Sequence, residues 1–286
     1  MAMSINNLKI FINVADAANI TRAAEVLHIT QPAVSKAIKA LEDELDVTLF
    51  YRDKRNGLSL TDTGERILKF ARQMTLMEEK LYQTAFMAKN MLEGTLKIAT
   101  LPYGSVFFLV KTLSEFQTKY PQVNVEITEG STSEVNRMVQ EHAAEFGISL
   151  IPATGFEHEI LMEDHIMAIS KEAVEAGYID LATLKQKFYV AQPAWESIQP
   201  ILVQNHIEDR GRFKIVGAQT VRTIAEEGIG IGLQAESILP KDTNIYFKYP
   251  IKPEVRTDFA LIANKFDDLS PAAKAFIETM HEHIWK

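Results

Sequence analysis

Gln31, Ser35, Lys36 and Lys39 fall on one stripe of a helix wound at 100° per residue, while Val34, Ile38, Leu41 and Leu45 fall on another. Amide, hydroxyl and ammonium groups on one polar face can hydrogen-bond base edges and meet phosphate oxygens. Pro32 sits where a first helical turn has no use for an N–H, after Thr30 as a suitable N-cap. Further on, Arg52, Lys54 and Arg55 crowd a turn that contains Asn56-Gly57, a hairpin signal. Cations there would hold phosphate rather than read sequence. A solvated amphipathic helix explains the first stripe equally well, and it is the basic hairpin behind it that favours DNA.

Other chemistry has little to stand on. The 286 residues include no cysteine, which excludes disulfides, thiolate metal sites, a cysteine nucleophile and thiol redox sensing. No HExxH, P-loop or serine nucleophile elbow occurs, so no catalytic residue is assigned. His281-Glu282-His283 places its imidazoles two residues apart, on different helix faces. Glu157-His158-Glu159 and Glu163-Asp164-His165 read as solvated loop charges, so no metal is assigned. Gly228-x-Gly-x-Gly232 follows a helix instead of a strand and reads as a tight helix exit, so no cofactor is expected.

The elements needed to position the polar stripe are legible around it. Apolar spacing predicts a helix over 5–18, a short helix over 22–27 capped by Asn19 or Thr21, and a third over 31–45. Leu49 to Thr61 reads as two short strands around the basic turn. A short helix, a tight turn, a longer helix and a basic hairpin make a winged helix-turn-helix, whose second helix enters the major groove.

The string from Leu8-Lys9-Ile10-Phe11 through Thr21-Arg22-Ala23-Ala24, Gln31-Pro32-Ala33-Val34-Ser35, Leu41-Glu42 and Leu49-Phe50-Tyr51-Arg52 to Leu60-Thr61-Asp62-Thr63-Gly64 closely resembles the LysR-type transcriptional regulators. The resemblance implies that Gln31, Pro32, Ser35 and Lys36 read or frame bases; the cations Lys39, Arg52, Lys54 and Arg55 are expected mainly to hold phosphate. One departure is Asp46, where many members carry the glycine suited to a left-handed helix end.

From Thr63 to Leu92 there is no proline and, after Gly64, no glycine. Ile67, Phe70, Met74, Met77, Leu81, Thr84, Ala88 and Met91 recur at alternating steps of three and four. A rod of roughly 43 Å with one apolar seam must pair, with a second copy or with its own chain. The resemblance favours a second copy, because members dimerise through this helix.

Charge divides the chain in two. Residues 1–93 hold 12 Lys+Arg and 12 Asp+Glu, so the net charge of −8 belongs to residues 94–286, where 18 − 26 = −8. That acidic part alternates strand and helix: strands over 96–99, 123–127 and 146–150, with helices over 106–120 and 133–144 between them. A second set of strands is expected over 166–169, 187–191, 213–216 and 229–233. Such an order implies a mostly parallel sheet with helices on both faces, and two α/β halves suggest a hinged clam with a cleft at the strand ends. This resembles the periplasmic-binding-protein-like effector domain of the same family.

Strand ends followed by helix starts leave N–H groups suited to anions, and Thr100, Ser131 and Gln219-Thr220 fit. Family members bind effectors at corresponding loops, so the resemblance implies that Thr100, Ser131, Gln219 and Thr220 are effector-binding, with Tyr103, Trp195 and Arg222 nearby. The expected division is a DNA-binding domain at 1–61, a linker helix at 62–92 and an effector domain at 93–286. Its first lobe takes 93–162 and 265–286, and its second takes 163–264. The expected partners are double-stranded DNA, a small-molecule effector for which an anion is one candidate, a second copy in a dimer or tetramer, and, by resemblance, RNA polymerase. No signal core or run of ~18 apolar residues is present, so no membrane partner and a cytoplasmic location are expected. An architectural DNA-binding protein without effector, and a metabolite-binding α/β protein with an incidental helical N-domain, are the rival readings.

Overall fold

The computed structural model describes residues 4–53, 57–87, 92–151, 153–207, 215, 217–240 and 244–284. The head begins with α1 (Ile5–Ala17), which buries Leu8, Ile10, Phe11 and Val14, followed by α2 (Ile20–Val26) and α3 (Gln31–Leu45). α2 starts two residues ahead of the expected 22 because Asn19, rather than Thr21, caps it: the Asn19 side chain accepts from the Arg22 N–H at 3.0 Å. α3 buries Val34, Ala37, Ile38 and Leu41 and closes on Asp46 at φ 52°, so aspartate takes the left-handed position itself. Beyond it the Glu42 carboxylate accepts from the Leu49 N–H at 2.8 Å and fixes the entry to the hairpin.

β1 (Phe50–Asp53) and β2 (Gly57–Leu60) pair antiparallel, Phe50 opposite Leu60 and Arg52 opposite Leu58. Lys54, Arg55 and Asn56 lie outside the described residues, as do Ala88 and Met91 of the seam. Thr61 then caps α4 (Asp62–Met87), its Oγ1 accepting from the Gly64 N–H at 2.9 Å. A side chain at Gly64 would run into the Leu49 carbonyl, so the glycine is what lets the helix cross the hairpin so closely. At 26 residues, α4 is about 39 Å long.

The body is two sheets. The first is built from β3 (Glu93–Thr100), β4 (Gln122–Glu129), β5 (Phe146–Leu150) and β6 (Glu157–Met162). Between β3 and β4 lie α5 (Pro102–Gly104), a π turn (Ser105–Leu109) and α6 (Val110–Lys119), where one continuous helix over 106–120 was expected. Between β4 and β5 lies α7 (Thr132–Gln140). The second sheet takes β7 (Ile166–Ser170), β8 (Ile179–Asp180), β9 (Phe188–Val190), β10 (Ile231–Ala235) and β11 (Phe247–Lys252), with α8 (Gln192–Gln204) and α9 (Ala218–Glu226). The chain returns to the first sheet as β12 (Phe259–Ala263) and ends with α10 (Pro271–Ile284).

Strand order is β4-β3-β5-β12-β6 in the first sheet and β8-β11-β7-β10-β9 in the second. β3 runs parallel to β4 and β5, but β12 is antiparallel to both its neighbours, and β7 is antiparallel to β10 and β11. The sheets are therefore mixed, not mostly parallel. Because β12 pairs with β5, residues 259–264 belong to the first lobe and the return falls ahead of the expected 265. The strand expected over 229–233 begins at Ile231, since Ile229 is exposed, and of the one expected over 213–216 only Ile215 is described, bridging Ala191. The first lobe packs Leu96, Ile98, Phe116, Phe146, Ile148 and Phe276; the second packs Ile166, Phe188, Ile198 and Leu233.

The two crossings between lobes run side by side and are tied together. The Asp164 N–H donates to the Asp258 carboxylate at 2.9 Å, the Thr257 N–H donates to the Asp164 carbonyl at 2.9 Å, and the Ser237 hydroxyl donates to the Asp164 carboxylate at 2.5 Å. Asp164 is thus a buried hinge group, correcting its reading as a solvated loop charge. Glu157, His158 and Glu159 are also not in a loop: they form the start of edge strand β6, where Glu159 lies 3.0 Å from His281.

Candidate functional site

The polar stripe of α3 stands clear of the head. Gln31, Pro32, Lys36 and Lys39 are exposed and Ser35 is half-buried; among the described contacts, none of these side chains is engaged by another group. The opposite stripe locks the helix through Val34, Ile38 and Leu41 against Phe11 and Leu49. That packing gives the helix one orientation and leaves its polar face open to the width of a major groove. Arg52 sits in β1, one strand over; Lys54 and Arg55 lie outside the described residues.

α4 divides its circumference between the head, the first lobe and an open face. Leu68 and Ala71 are buried against the head, and Gln83, fully buried, lies against the first lobe, where its Oε1 accepts from the Ala272 N–H at 3.1 Å. Glu79 accepts from the Thr95 N–H at 2.9 Å, and Lys80 donates to the Asp268 carbonyl. The remaining face carries Phe70, Met77 and Leu81, each more than 60% exposed, with Met74 beside them. So the helix packs in cis on one side while most of its described seam stays uncovered. Ile67 is the exception, partly buried against the head core.

Between the lobes lies a cavity of 730 Å³. The first lobe contributes Leu101, Pro102 and Tyr103 after β3, Glu129, Ser131 and Glu134 around the start of α7, and Phe259. The second contributes Ala191 and Ala194 at α8, Gly217 to Gln219 at α9, and Gln234.

Of the four expected effector-binding residues, two line this cavity and two do not. Ser131 and Gln219 line it. Thr100 is fully buried, its Oγ1 bonded to the Leu101 carbonyl at 3.1 Å: as the last residue of β3 it points into the core, and its neighbours 101–103 face the cleft. Thr220 is exposed on the far side of the α9 start, outside the lining.

Ser131 does not offer a free anion site. Its N–H and Oγ donate to Glu134 Oε2 at 2.8 and 2.7 Å, and its Oγ accepts from the Glu134 N–H in return. This S-x-x-E capping box is readable in the sequence and could have shown that α7 carries its own anion. Trp195 packs on the second-lobe core, and Arg222 engages Gln219 and Glu226 outside the cleft. Gln234, Ala194 and Thr257 line the cavity without any local motif to announce them.

α7 runs from this cavity to the linker. Its first turn is the Ser131–Glu134 box; just past its last, Glu141 accepts from Arg72 of α4 at 3.0 Å, and His142 lies 2.8 Å from Gln73 Nε2. Arg72 also reaches Asp16 of α1 at 2.6 Å. Burial, aided by Lys69 and Lys80, holds the His142 imidazole below its usual range, which keeps it neutral. Three residues further on, just ahead of β5, Glu145 accepts from the Ser270 N–H and hydroxyl, and burial pushes its carboxyl up.

Residues 5–65 match the family described as "Bacterial regulatory helix-turn-helix protein, lysR family", and residues 89–285 match the "LysR substrate binding domain". The HTH-type transcriptional regulator YoaU of Bacillus subtilis is 33% identical over 98% of this chain and 98% of its own. Among solved structures, a full-length OxyR variant from Pseudomonas aeruginosa aligns with a TM-score of 0.73 at 20% identity, covering 99% of this chain and 98% of that one. Full-length CbnR complexed with its target DNA aligns with a TM-score of 0.58 at 21% identity, covering 98% and 99%. At that identity the two structures speak to the fold, a helix-turn-helix head followed by a two-lobed α/β body. Among the described residues no helix is long and apolar enough to cross a membrane.

Proposed function

The chain belongs to the LysR family of bacterial helix-turn-helix regulators, and from that premise we propose that it binds palindromic promoter DNA as a homo-oligomer and responds to a small molecule held in the interlobe cleft. It is a transcriptional regulator, with a DNA-binding head and a substrate-binding domain, and not an enzyme. In this reading Gln31, Pro32, Ser35 and Lys36 read or frame bases, and Lys39, Arg52, Lys54 and Arg55 hold phosphate. The exposed α4 seam pairs with a second copy, in a dimer or tetramer, so that two heads meet two half-sites. A relative of the same fold, CbnR, has been captured on its target DNA, which supports the first part.

The observation that carries the second part is the path of α7, from the cavity wall at Ser131 to the Arg72 and Gln73 contacts on the linker. An effector that favours one cleft geometry shifts α7, the linker and the head together, which changes head spacing and with it the bend of the DNA and recruitment of RNA polymerase. The effector enters as a small molecule whose polar contacts come from the cleft loops, and the occupied cap at Ser131 does not favour the anion expected there. Affinity selection of genomic fragments by the full chain tests the reading. Enrichment of a few palindromic upstream fragments, with footprints that change when a cleft ligand is added, is the expected result. Uniform retention of all fragments, or footprints that no ligand alters, would count against it.

A further inference from the structure

A carboxylate ligand at a helix start needs N–H groups that are not already engaged. Around the cleft the α7 start is closed by Glu134, whose carboxyl is held below the usual range, first by the backbone N–H of Ser131 and then by its hydroxyl, so it stays charged. Glu129, at the end of β4, lines the same cavity and accepts from the Ser105 hydroxyl at 2.5 Å. Neither carboxylate forms a salt bridge among the described residues; Arg137, further along α7, acts on Glu134 only through space, and the described lining contains no lysine, arginine or histidine. Arg222, the basic residue beside the α9 start, is held by Gln219 and Glu226 and stays outside the lining. Most of the remaining wall is apolar, with Leu101, Leu150, Ile238 and Phe259 around Tyr103. The Thr257 hydroxyl is buried in that wall with no hydrogen-bond partner among the described residues.

A ligand that covers two carboxylates must replace the water it removes with positive charge or donors, because a desolvated, unmatched charge is strongly disfavoured. A second anion would add repulsion in a setting where apolar walls strengthen it. An aromatic ring next to the carboxylates adds attraction for a cation. The volume suits a compact organic molecule, within the ~300–1,000 Å³ of ordinary ligand sites.

Resting on the cleft as the effector site, we propose that the effector is an apolar or aromatic amine, bound as a cation between Glu129, Glu134 and Tyr103, with its apolar body against Phe259 and Ile238 and the Thr257 hydroxyl as a further polar contact. The test uses the full chain and two matched probe pairs, phenethylamine against 3-phenylpropanoate and tryptamine against indole-3-acetate, followed by calorimetry and thermal shift at neutral pH. The amines should bind at least about tenfold tighter than their carboxylate partners, and Glu129→Gln and Glu134→Gln should each weaken amine binding by about tenfold. Gln at 134 keeps the capping box, so the fold is retained. Ala194→Trp, which fills the cleft, should expel every probe. Tighter binding of the carboxylates, or amine binding indifferent to both Gln variants, overturns the amine proposal. If Ala194→Trp still expels those probes, the cleft reading survives that loss. Probes that bind Ala194→Trp as well as the parent chain, or no binding by any probe, overturn both.

Discussion

Arg72 Nη1 of the linker helix lies 3.0 Å from Glu141 Oε2 at the end of α7, while its Nη2 lies 2.6 Å from Asp16 of the DNA-binding head. One guanidinium, with its side chain only 11% exposed, thereby joins the three parts of the chain. Both carboxylates are largely open to water, so the ties are worth little as stability and more as geometry. A double-mutant cycle of Arg72→Met with Glu141→Gln should give a coupling of about 0.5–1 kcal/mol in chemical denaturation. Strict additivity of the two variants would remove the contact from the relay.

The polar face of α3 leads to a split between specificity and salt dependence. Gln31→Ala and Ser35→Ala should each cost about 1–3 kcal/mol on the selected site and little on random DNA. Lys39→Ala should weaken both equally and flatten the salt slope by roughly one unit. Binding isotherms at several salt concentrations check this, and equal losses on all sequences from Gln31→Ala would end its base-reading role.

The seam on α4 leads to a change of assembly. Met77→Asp and Leu81→Asp place charge where two exposed apolar side chains would face a second copy. Sedimentation should show the oligomer dissociating, while circular dichroism should stay unchanged because neither residue is in the head core. Retention of the oligomer would move the interface elsewhere.

Gly64 allows a close crossing and no more. With the Leu49 carbonyl in the way of any side chain, Gly64→Ala must push the linker off the hairpin. A loss of about 1–3 kcal/mol is expected in thermal or urea unfolding, whereas Gly155→Ala, open on all sides and strained only by its backbone φ of 88°, should cost about 1–2 kcal/mol.

His142 sets a pH dependence. Its pKa is lowered on folding, mainly by burial and then by Lys69 and Lys80, with Asp268 opposing them. The unfolded chain therefore takes up a proton first. The contribution is whole above the unfolded value of about 6.5 and drains as pH falls through the lower folded value. Protonation also removes the lone pair that receives Gln73. The unfolding midpoint should drop on acidification below about pH 6.5, and His142→Asn, which tolerates the φ of 57° there, should flatten that drop.

The sequence by itself determined the head. Its elements are set by neighbours along the chain: Asn19 caps α2, the stripe of Val34, Ile38 and Leu41 orients α3, and Thr61 with Gly64 starts the linker. Local periodicity and capping carry that information, so the polar face of α3 could be read before any coordinates. The cleft was decided by tertiary structure. Thr100 turned inward because β3 is buried, and the start of α9 was rotated so that Gln219, and not Thr220, met the cavity. Ala194 and Thr257 arrived there from elements with no local sign of it. The crossing at Asp164 and Asp258 joins residues 94 positions apart, and strand β12 chose its sheet by pairing with β5. No periodicity records such distances, because they arise only when two lobes close around a shared hinge.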